Sequence, residues 1–392
     1  TDMSSVIFGA GKIARGFIGH LLYLSGIPFV FVEKYEGLVD LVNSRGQYTV
    51  NVLGSPEKNC VVKGAKALDF SDAEKIAEAI AEADVVFNAV GGKNLESLVP
   101  YMVKGIEKKA KRGGTLNFVT CENWKEPARI LREGIEASIS EEYREFFHKN
   151  VGVTEAVIMR SAIEAEEAQL KEDPLTVNVQ DFWQLPVDYS RVVGELPDIM
   201  GLQKVEEFSG FLERKFYTYN AANGTVSYLG ALLGYKHIAD AAHDERILKI
   251  LDGVYGETAA ALSRKHGYPL DEQLEFAQGS KRKLQDYRIV DYIERNARDP
   301  MRKLGPDDRL VGSARMVESY GVAPENLCTS IAAAIYYTSE GDPSAEELKR
   351  LREEKGVDYI LENVCKLEPD GALAKLVKSK IALLKSEGWI RE

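Results

Sequence analysis

Through the first half of the chain, short unbroken apolar runs alternate with stretches that repeat apolar residues every three or four positions. The first pattern marks strands buried on both faces, and the second marks amphipathic helices. Val6-Ile-Phe8 reads as a strand and Phe17 to Ser25 as a helix. Pro28 to Glu33 is a second strand, and Asp84 to Val90 a buried strand between helices at Ala73 to Glu82 and Leu95 to Lys111. Gly114 to Thr120 follows as a strand and Arg129 to Phe147 as a helix. Val151 to Thr154 and Leu175 to Trp183 read as strands extending the same sheet, with an acidic loop or short helix, Glu164 to Asp173, between them. Such alternation predicts an α/β fold with a parallel sheet.

Beyond Pro186 the period changes. A loop rich in Gly, Pro and Asp, Val193 to Gly201, leads into a region that repeats almost entirely at helical spacing. Helices are expected over Ile238 to Ala242, Asp244 to His266, Leu270 to Arg282 and Tyr287 to Ala297. Four more are expected over Leu327 to Tyr337, Ala345 to Lys355, Asp358 to Cys365 and Leu373 to Glu387, with turn signals such as Gly267-Tyr-Pro269 between elements. Two domains follow: an α/β domain over residues 1–195 and a mostly α-helical one over 196–392, with a substrate pocket expected at their junction.

The first strand runs into Gly9-Ala-Gly11-Lys-Ile-Ala14-Arg-Gly16 and then the helix, the strand–glycine turn–helix layout of a Rossmann-type, doubly wound dinucleotide domain. Gly9 permits the tight turn, Gly11 lets the backbone approach a pyrophosphate, and the helix N-terminus offers unpaired N–H groups. Glu33 closes the second strand where an acid is expected to hold a ribose diol, which favours NAD over NADP, while Lys34 beside it blurs that preference. Phe8, Gly9, Ala10, Gly11, Lys12, Ile13, Glu33, Ala89, Val90, Gly91 and Asn123 are the residues expected around this cofactor. Asn123, just past a strand end, is placed either to meet nicotinamide or substrate, or to form an Asx turn or helix cap.

Composition narrows the possible partners. The net charge of −11 repels nucleic acid and anionic membrane, so an anionic ligand needs a local basic pocket. Four widely spread cysteines argue for a reducing, cytoplasmic setting without disulfides, and five histidines without close ligand spacing predict no metal. Lys12, Arg15 and His20 interrupt the first apolar run, so no secretory leader is expected, and no apolar stretch approaches the ~20 residues of a membrane span.

The candidate chemistry lies in Glu213-Arg-Lys-Phe-Tyr-Thr-Tyr-Asn-Ala-Ala-Asn-Gly-Thr-Val-Ser-Tyr-Leu-Gly230. On a helical wheel Lys215, Asn220, Asn223 and Ser227 share roughly 140° of arc. An ammonium beside two amides reads as a proton acceptor with groups that hold an alcohol or carbonyl oxygen, or as the wet face of an amphipathic helix. Further on, Arg302, Lys303 and Arg309 surround a Gly-Pro turn. They form either a clamp for phosphate or carboxylate, or an ion-pair network with Asp307 and Asp308.

With these residues in view, nearly the whole chain resembles the polyol-specific long-chain dehydrogenase/reductase family of the mannitol dehydrogenase superfamily, and within it the mannitol-1-phosphate 5-dehydrogenases. The likeness rests on Phe8-Gly-Ala-Gly-Lys-Ile-Ala-Arg-Gly-Phe-Ile-Gly19, Cys121-Glu-Asn123, Glu213 to Asn220, Tyr228-Leu-Gly230, Arg302-Lys-Leu-Gly-Pro-Asp-Asp-Arg-Leu310 and Ile331-Ala-Ala-Ala334. It implies a metal-independent, NAD-dependent interconversion of a hexitol phosphate and a ketose phosphate, with Lys215 as general base, Asn220 holding the alkoxide and Asn123 assisting. Two departures stand out: Asn223 where the family has histidine, and Ile158-Met159 with Arg160 where it has an Asp-Arg pair. A hexonate dehydrogenase on the same scaffold and a catalytically silent NAD-binding protein are the alternatives. The expected partner is a small sugar-alcohol phosphate or hexonate, with no nucleic acid or membrane, and the expected state is a monomer or weak homodimer.

Overall fold

The computed structural model of the chain describes residues 3–392. Two compact units meet in the sequence at Phe208 and Ser209. In chain order the strands of the first unit are β1 (Ser5–Phe8), β2 (Phe29–Glu33), β3 (Gln47–Val52), β4 (Cys60–Lys63), β5 (Ala67–Asp69) and β6 (Val85–Asn88). They continue with β7 (Leu116–Thr120), β8 (Val151–Glu155), β9 (Ala162–Glu164), β10 (Val177–Val179), β11 (Leu185–Asp188) and β12 (Leu202–Val205).

Six strands form the main sheet in the order β5-β2-β1-β6-β7-β8, parallel at each pairing. Ile7, Phe31, Phe87 and Val119 fill one face and Val6, Val32, Val86 and Phe118 the other, so the strands are apolar at successive positions because both faces are covered. Strand order reverses between β1 and β6, where Phe8 is level with Asn88, and this sets the loops after the two strands side by side.

Two sequence expectations for this unit are corrected. Leu175 to Trp183 does not extend the main sheet: β10 pairs with β3 and β9 in a separate four-stranded sheet, β4-β3-β10-β9. The cause is β3, whose Tyr48, Val50 and Val52 turn inward and give β10 a nearer partner. The single helix expected over Arg129 to Phe147 is two, Pro127–Ser138 and Glu141–Asn150, with Ile139 and Ser140 extended between them. The second sheet covers the helical segment after the glycine loop, with Val177 and Val179 against Gly16, so Phe17, Ile18, Leu21 and even His20 are buried.

The second unit is helical. Its centre is Ala221–Leu232, where small residues let neighbouring helices approach closely: a Cβ on Gly230 would sit 2.9 Å from Ala241 Cβ and 2.9 Å from Ile293 Cδ1, and one on Gly224 would sit 3.4 Å from Arg309 Cδ in an adjoining turn. Around it pack Glu245–His266, Glu325–Ile335 and Ile293–Ala297, with Val226, Leu229, Leu251 and Ile331 in the shared core. Glu257 accepts the N–H groups of Asn326 and Leu327 and so satisfies the N-terminus of Glu325–Ile335 from a neighbouring helix.

Here one expected helix is shortened and two are added. Tyr287 to Ala297 is helical only from Ile293, because Ile238 N–H donates to Asp291 O and Ile293 N–H to Lys236 O, a bridge that takes the backbone groups a helix would use. Pro300–Lys303 and Val311–Ser319 are helices that sequence spacing did not indicate. Among the described residues no helix is long and apolar enough to cross a membrane.

Candidate functional site

In the first unit the glycine loop takes up the conformation its sequence requires. Gly9 has φ +99°, and a Cβ there would lie 2.3 Å from Ala89 O, so the close crossing of the two loops depends on glycine. Ala89 N–H donates to Phe8 O at 2.9 Å and Gly9 N–H to Val32 O at 2.7 Å. A Cβ on Gly11 would meet nothing within 4 Å, which leaves the space a pyrophosphate needs. Helix begins at Lys12 and Ile13, whose first-turn N–H groups have no intrahelical acceptor. These observations fit a dinucleotide.

Glu33 is nearly buried, and its carboxylate accepts Ala10 N–H at 3.1 Å and Tyr35 N–H at 3.0 Å. It therefore braces the loop from below as well as ending β2. Beside it lies a cavity of about 120 Å³ lined by Glu33, Tyr35, Phe70, Ala89, Val90 and Ser97. Glu122, quoted within the Cys121-Glu-Asn123 motif but given no role of its own by sequence reasoning, holds the loop after β6: it accepts from Asn88 Nδ2 at 2.8 Å, Val90 N–H at 2.9 Å and Gly91 N–H at 3.0 Å. Its neighbour Asn123 is exposed, and the helix that follows is entered through Glu126, so Asn123 is not its cap.

In the second unit Lys215 ends the helix Phe208–Lys215, Phe216–Asn220 forms a π-helical turn, and α-helix resumes at Ala221. Ala221 N–H donates to Phe216 O, five residues back. In a straight α-helix residues five apart lie roughly 140° around the axis; the π turn absorbs one residue and stacks them. Lys215 Nζ accordingly donates to Asn220 Oδ1 at 3.1 Å. Asn223, three residues further, shares this face and donates from Nδ2 to Asn296 Oδ1 at 3.0 Å.

Burial, with the positive charges of Lys283 and Arg309, brings the Lys215 ammonium down to about 8. Lys303 is also buried and is brought down to about 8 by burial, Arg309 and Arg302, while its Nζ donates to Asn296 O at 2.6 Å. Arg309 packs along Gly224 and pairs with Asp308 at 3.0 Å. Arg302 is exposed and pairs with Asp299 at 2.9 Å. The network with Asp308 therefore exists, whereas Asp307 faces Arg315 instead. The structure gathers Lys215, Lys283, Lys303 and Arg309 into one positive region, with Arg302 at its edge.

Lys283 and Asn296 were missed by sequence reasoning, and no local signal marks them. Among the described residues no group of three or more His, Cys, Asp or Glu side chains is placed to hold a metal.

The family model of the mannitol dehydrogenase Rossmann domain matches residues 3–201, and that of the mannitol dehydrogenase C-terminal domain matches residues 207–381. The fold is similar to that of D-sorbitol dehydrogenase in its substrate-free form, with a TM-score of 0.80 and 14% identity over 99% of this chain and 94% of that one. It is also similar to Pseudomonas fluorescens mannitol 2-dehydrogenase in ternary complex with NAD and D-mannitol, with a TM-score of 0.68 and 15% identity over 99% and 93% of the two chains. At such identities the structural likeness speaks for the fold, and the sequence matches carry the kinship: the chain belongs to the mannitol dehydrogenase family.

Proposed function

We propose that the chain is an NAD-dependent polyol dehydrogenase acting on a hexitol phosphate, of the mannitol 1-phosphate and fructose 6-phosphate type, with Lys215 as general base. The observation that carries this reading is the Lys215 amine, hydrogen-bonded to Asn220 and brought to about 8 by burial and neighbouring cations. An amine in that range is neutral in a sizeable fraction, about a fifth, near physiological pH and exchanges a proton in either direction.

NAD supplies the hydride acceptor. Phe8, Gly9, Ala10, Gly11, Lys12, Ile13, Ala89, Val90 and Gly91 cradle it, Glu33 takes the ribose diol, and Asn123 attends the nicotinamide end. Lys215 Nζ takes the proton of the substrate hydroxyl. Asn220 Oδ1 is held by the lysine, which leaves its Nδ2 to donate to the developing alkoxide. Lys303 and Arg309, with Arg302 at the edge, hold the anionic end of the substrate, and forked guanidinium groups suit phosphate.

The same positive region suits the carboxylate of a hexonate, which keeps a hexonate dehydrogenase as the second reading. A substrate panel with NAD separates the two: mannitol 1-phosphate, free mannitol, free sorbitol, mannonate and altronate. The phosphate ester is expected to lead in kcat/KM by at least about tenfold. A lead by an aldonate or a free polyol overturns the phosphate assignment, and turnover of none overturns the dehydrogenase reading.

A further inference from the structure

The N–H and the carbonyl of Ala10 are both held from beneath the glycine loop. Glu33 Oε1 accepts Ala10 N–H at 3.1 Å, and Arg15 Nη1 donates to Ala10 O. The peptide between Ala10 and Gly11 is trans, so its N–H points away from its carbonyl. Drawing Ala10 O inward therefore turns Gly11 N–H outward, and among the described residues that N–H meets no acceptor. A Cβ on Gly11 would have nothing within 4 Å, so the side it turns to is open.

Arg15 reaches the loop because a helical side chain leans back towards the helix N-terminus. It stands in the π-helical stretch Ala14–Gly19, whose carbonyls are taken by side chains from elsewhere in the unit. The Tyr48 hydroxyl donates to Arg15 O at 2.8 Å, and Arg160 Nη1 to Gly16 O at 2.7 Å. Arg15 Nε donates to Leu175 O at 3.1 Å, so the hydrogen-bond acceptors around its guanidinium are carbonyls. The residue is only 8% exposed, and burial pulls its pKa below the usual guanidinium value. Glu33, Glu164 and Asp173 act on it at longer range, but among the described residues no carboxylate pairs with it. A nearly buried cation without a paired anion is costly, and a bound diphosphate would supply that anion.

We propose that Arg15 is the positioning residue for the cofactor's diphosphate: it turns Gly11 N–H outward as an anion donor and sets an unpaired positive charge behind the loop. This rests on NAD as the cofactor and adds a residue that lies outside the cradle named above. The adenosine end of the cofactor gains nothing from either effect, so what Arg15 contributes falls on the diphosphate.

Calorimetric titration of NAD, ADP-ribose and adenosine into wild type, Arg15→Gln and Arg15→Lys tests this without any turnover. Arg15→Gln is expected to bind NAD and ADP-ribose at least about tenfold more weakly, while adenosine changes by about twofold or less. Arg15→Lys keeps the cation and is expected to stay within about threefold of wild type near pH 7. Its ammonium can lose its proton, so its ADP-ribose affinity should fall by about fivefold or more between roughly pH 7 and 10 while wild type holds steady. That pH series decides the matter alone if the Gln variant does not fold. A Gln variant that keeps its ADP-ribose affinity, or loses adenosine to the same degree, overturns the inference and leaves NAD as the cofactor. So does a Lys variant that loses all the ligands alike or matches wild type across the pH range. A wild-type protein that binds neither NAD nor ADP-ribose defeats the cofactor reading itself, and the inference with it.

Discussion

Lys215 Nζ donates to Asn220 Oδ1 at 3.1 Å across five residues of one helix, a contact that an unbroken α-helix would not make. The π turn at Phe216–Asn220 makes it, and the turn is clamped from outside. Gln273, fully buried on the neighbouring helix Leu270–Gln285, accepts from Arg214 Nε at 2.6 Å and donates to Thr218 Oγ1 at 3.1 Å. One amide thus bridges the residue before the lysine and a residue inside the turn. Single-residue π turns of this kind recur at functional sites.

Gln273→Leu is therefore expected to lower kcat by about tenfold or more while KM for the polyol moves little, because Lys215 would lose its alignment and the substrate's other contacts would remain. Stability should fall by about 1–3 kcal/mol, the usual consequence of leaving buried polar partners unpaired. Gln273→Glu, which still accepts from Arg214 and can accept from the Thr218 hydroxyl, should recover most of the rate. Steady-state kinetics on the two variants, with urea unfolding alongside, decides the matter, and a Leu variant with wild-type kcat refutes the clamp.

Holding a cation at this position strains the fold. The folded-state value of about 8 for Lys215 lies below the 10.5 of an unfolded lysine. Between those values the unfolded chain binds more protons, so this group's contribution to stability rises with pH through that window and is least favourable below about pH 8. Lys215→Met removes the buried charge and its repulsion from Lys283 and Arg309. Its melting temperature at pH 7 is expected to exceed that of wild type by roughly 2–4 °C, with the gap closing as pH passes 8 and approaches 10. Calorimetry across that range checks it, and a less stable Met variant at pH 7 would show that the ammonium is held favourably after all.

On the proposed reading, cofactor choice follows from Glu33. Its carboxylate is fixed by Ala10 and Tyr35 N–H groups at the end of β2, and that reading puts its negative charge beside the ribose, against a 2′-phosphate. Wild type is expected to favour NAD over NADP in kcat/KM by at least about 10²-fold, and Glu33→Ala to narrow that preference by about tenfold or more while weakening NAD itself. Parallel kinetics with both cofactors tests this, and an NADP-preferring wild type would rule the assignment out.

Much of this was legible in the sequence where the determinants are local. Gly9, Gly11 and Glu33 sit in a strand–turn–helix–strand unit whose spacing alone predicts their places, and the Lys215, Asn220 and Asn223 grouping shows on a straight helical wheel. The wheel leaves Lys215 and Asn220 well apart, however. The π turn that stacks them has no pattern of its own and depends on Gln273, from another helix. Lys283 and Asn296 enter through tertiary packing, so no spacing rule reaches them, and Glu122 shows in a motif without the loop contacts that give it a role. The second sheet escaped for a similar reason: β3 and β10 are short, far apart in the chain, and acquire meaning only as a pair.

The base assignment is tested most directly by the pH dependence of polyol oxidation in wild type and Lys215→Ala, with NAD affinity measured by fluorescence titration on the same samples. With Lys215 as the base, oxidation would need the neutral amine, so wild-type kcat/KM should rise with pH and level off above a break near 8, while ketose reduction should fall through the same range. Lys215→Ala should be at least about 10²-fold slower, without the break, and should bind NAD as wild type does. A Lys215→Ala enzyme that keeps the wild-type rate and the same break would show that the proton goes elsewhere.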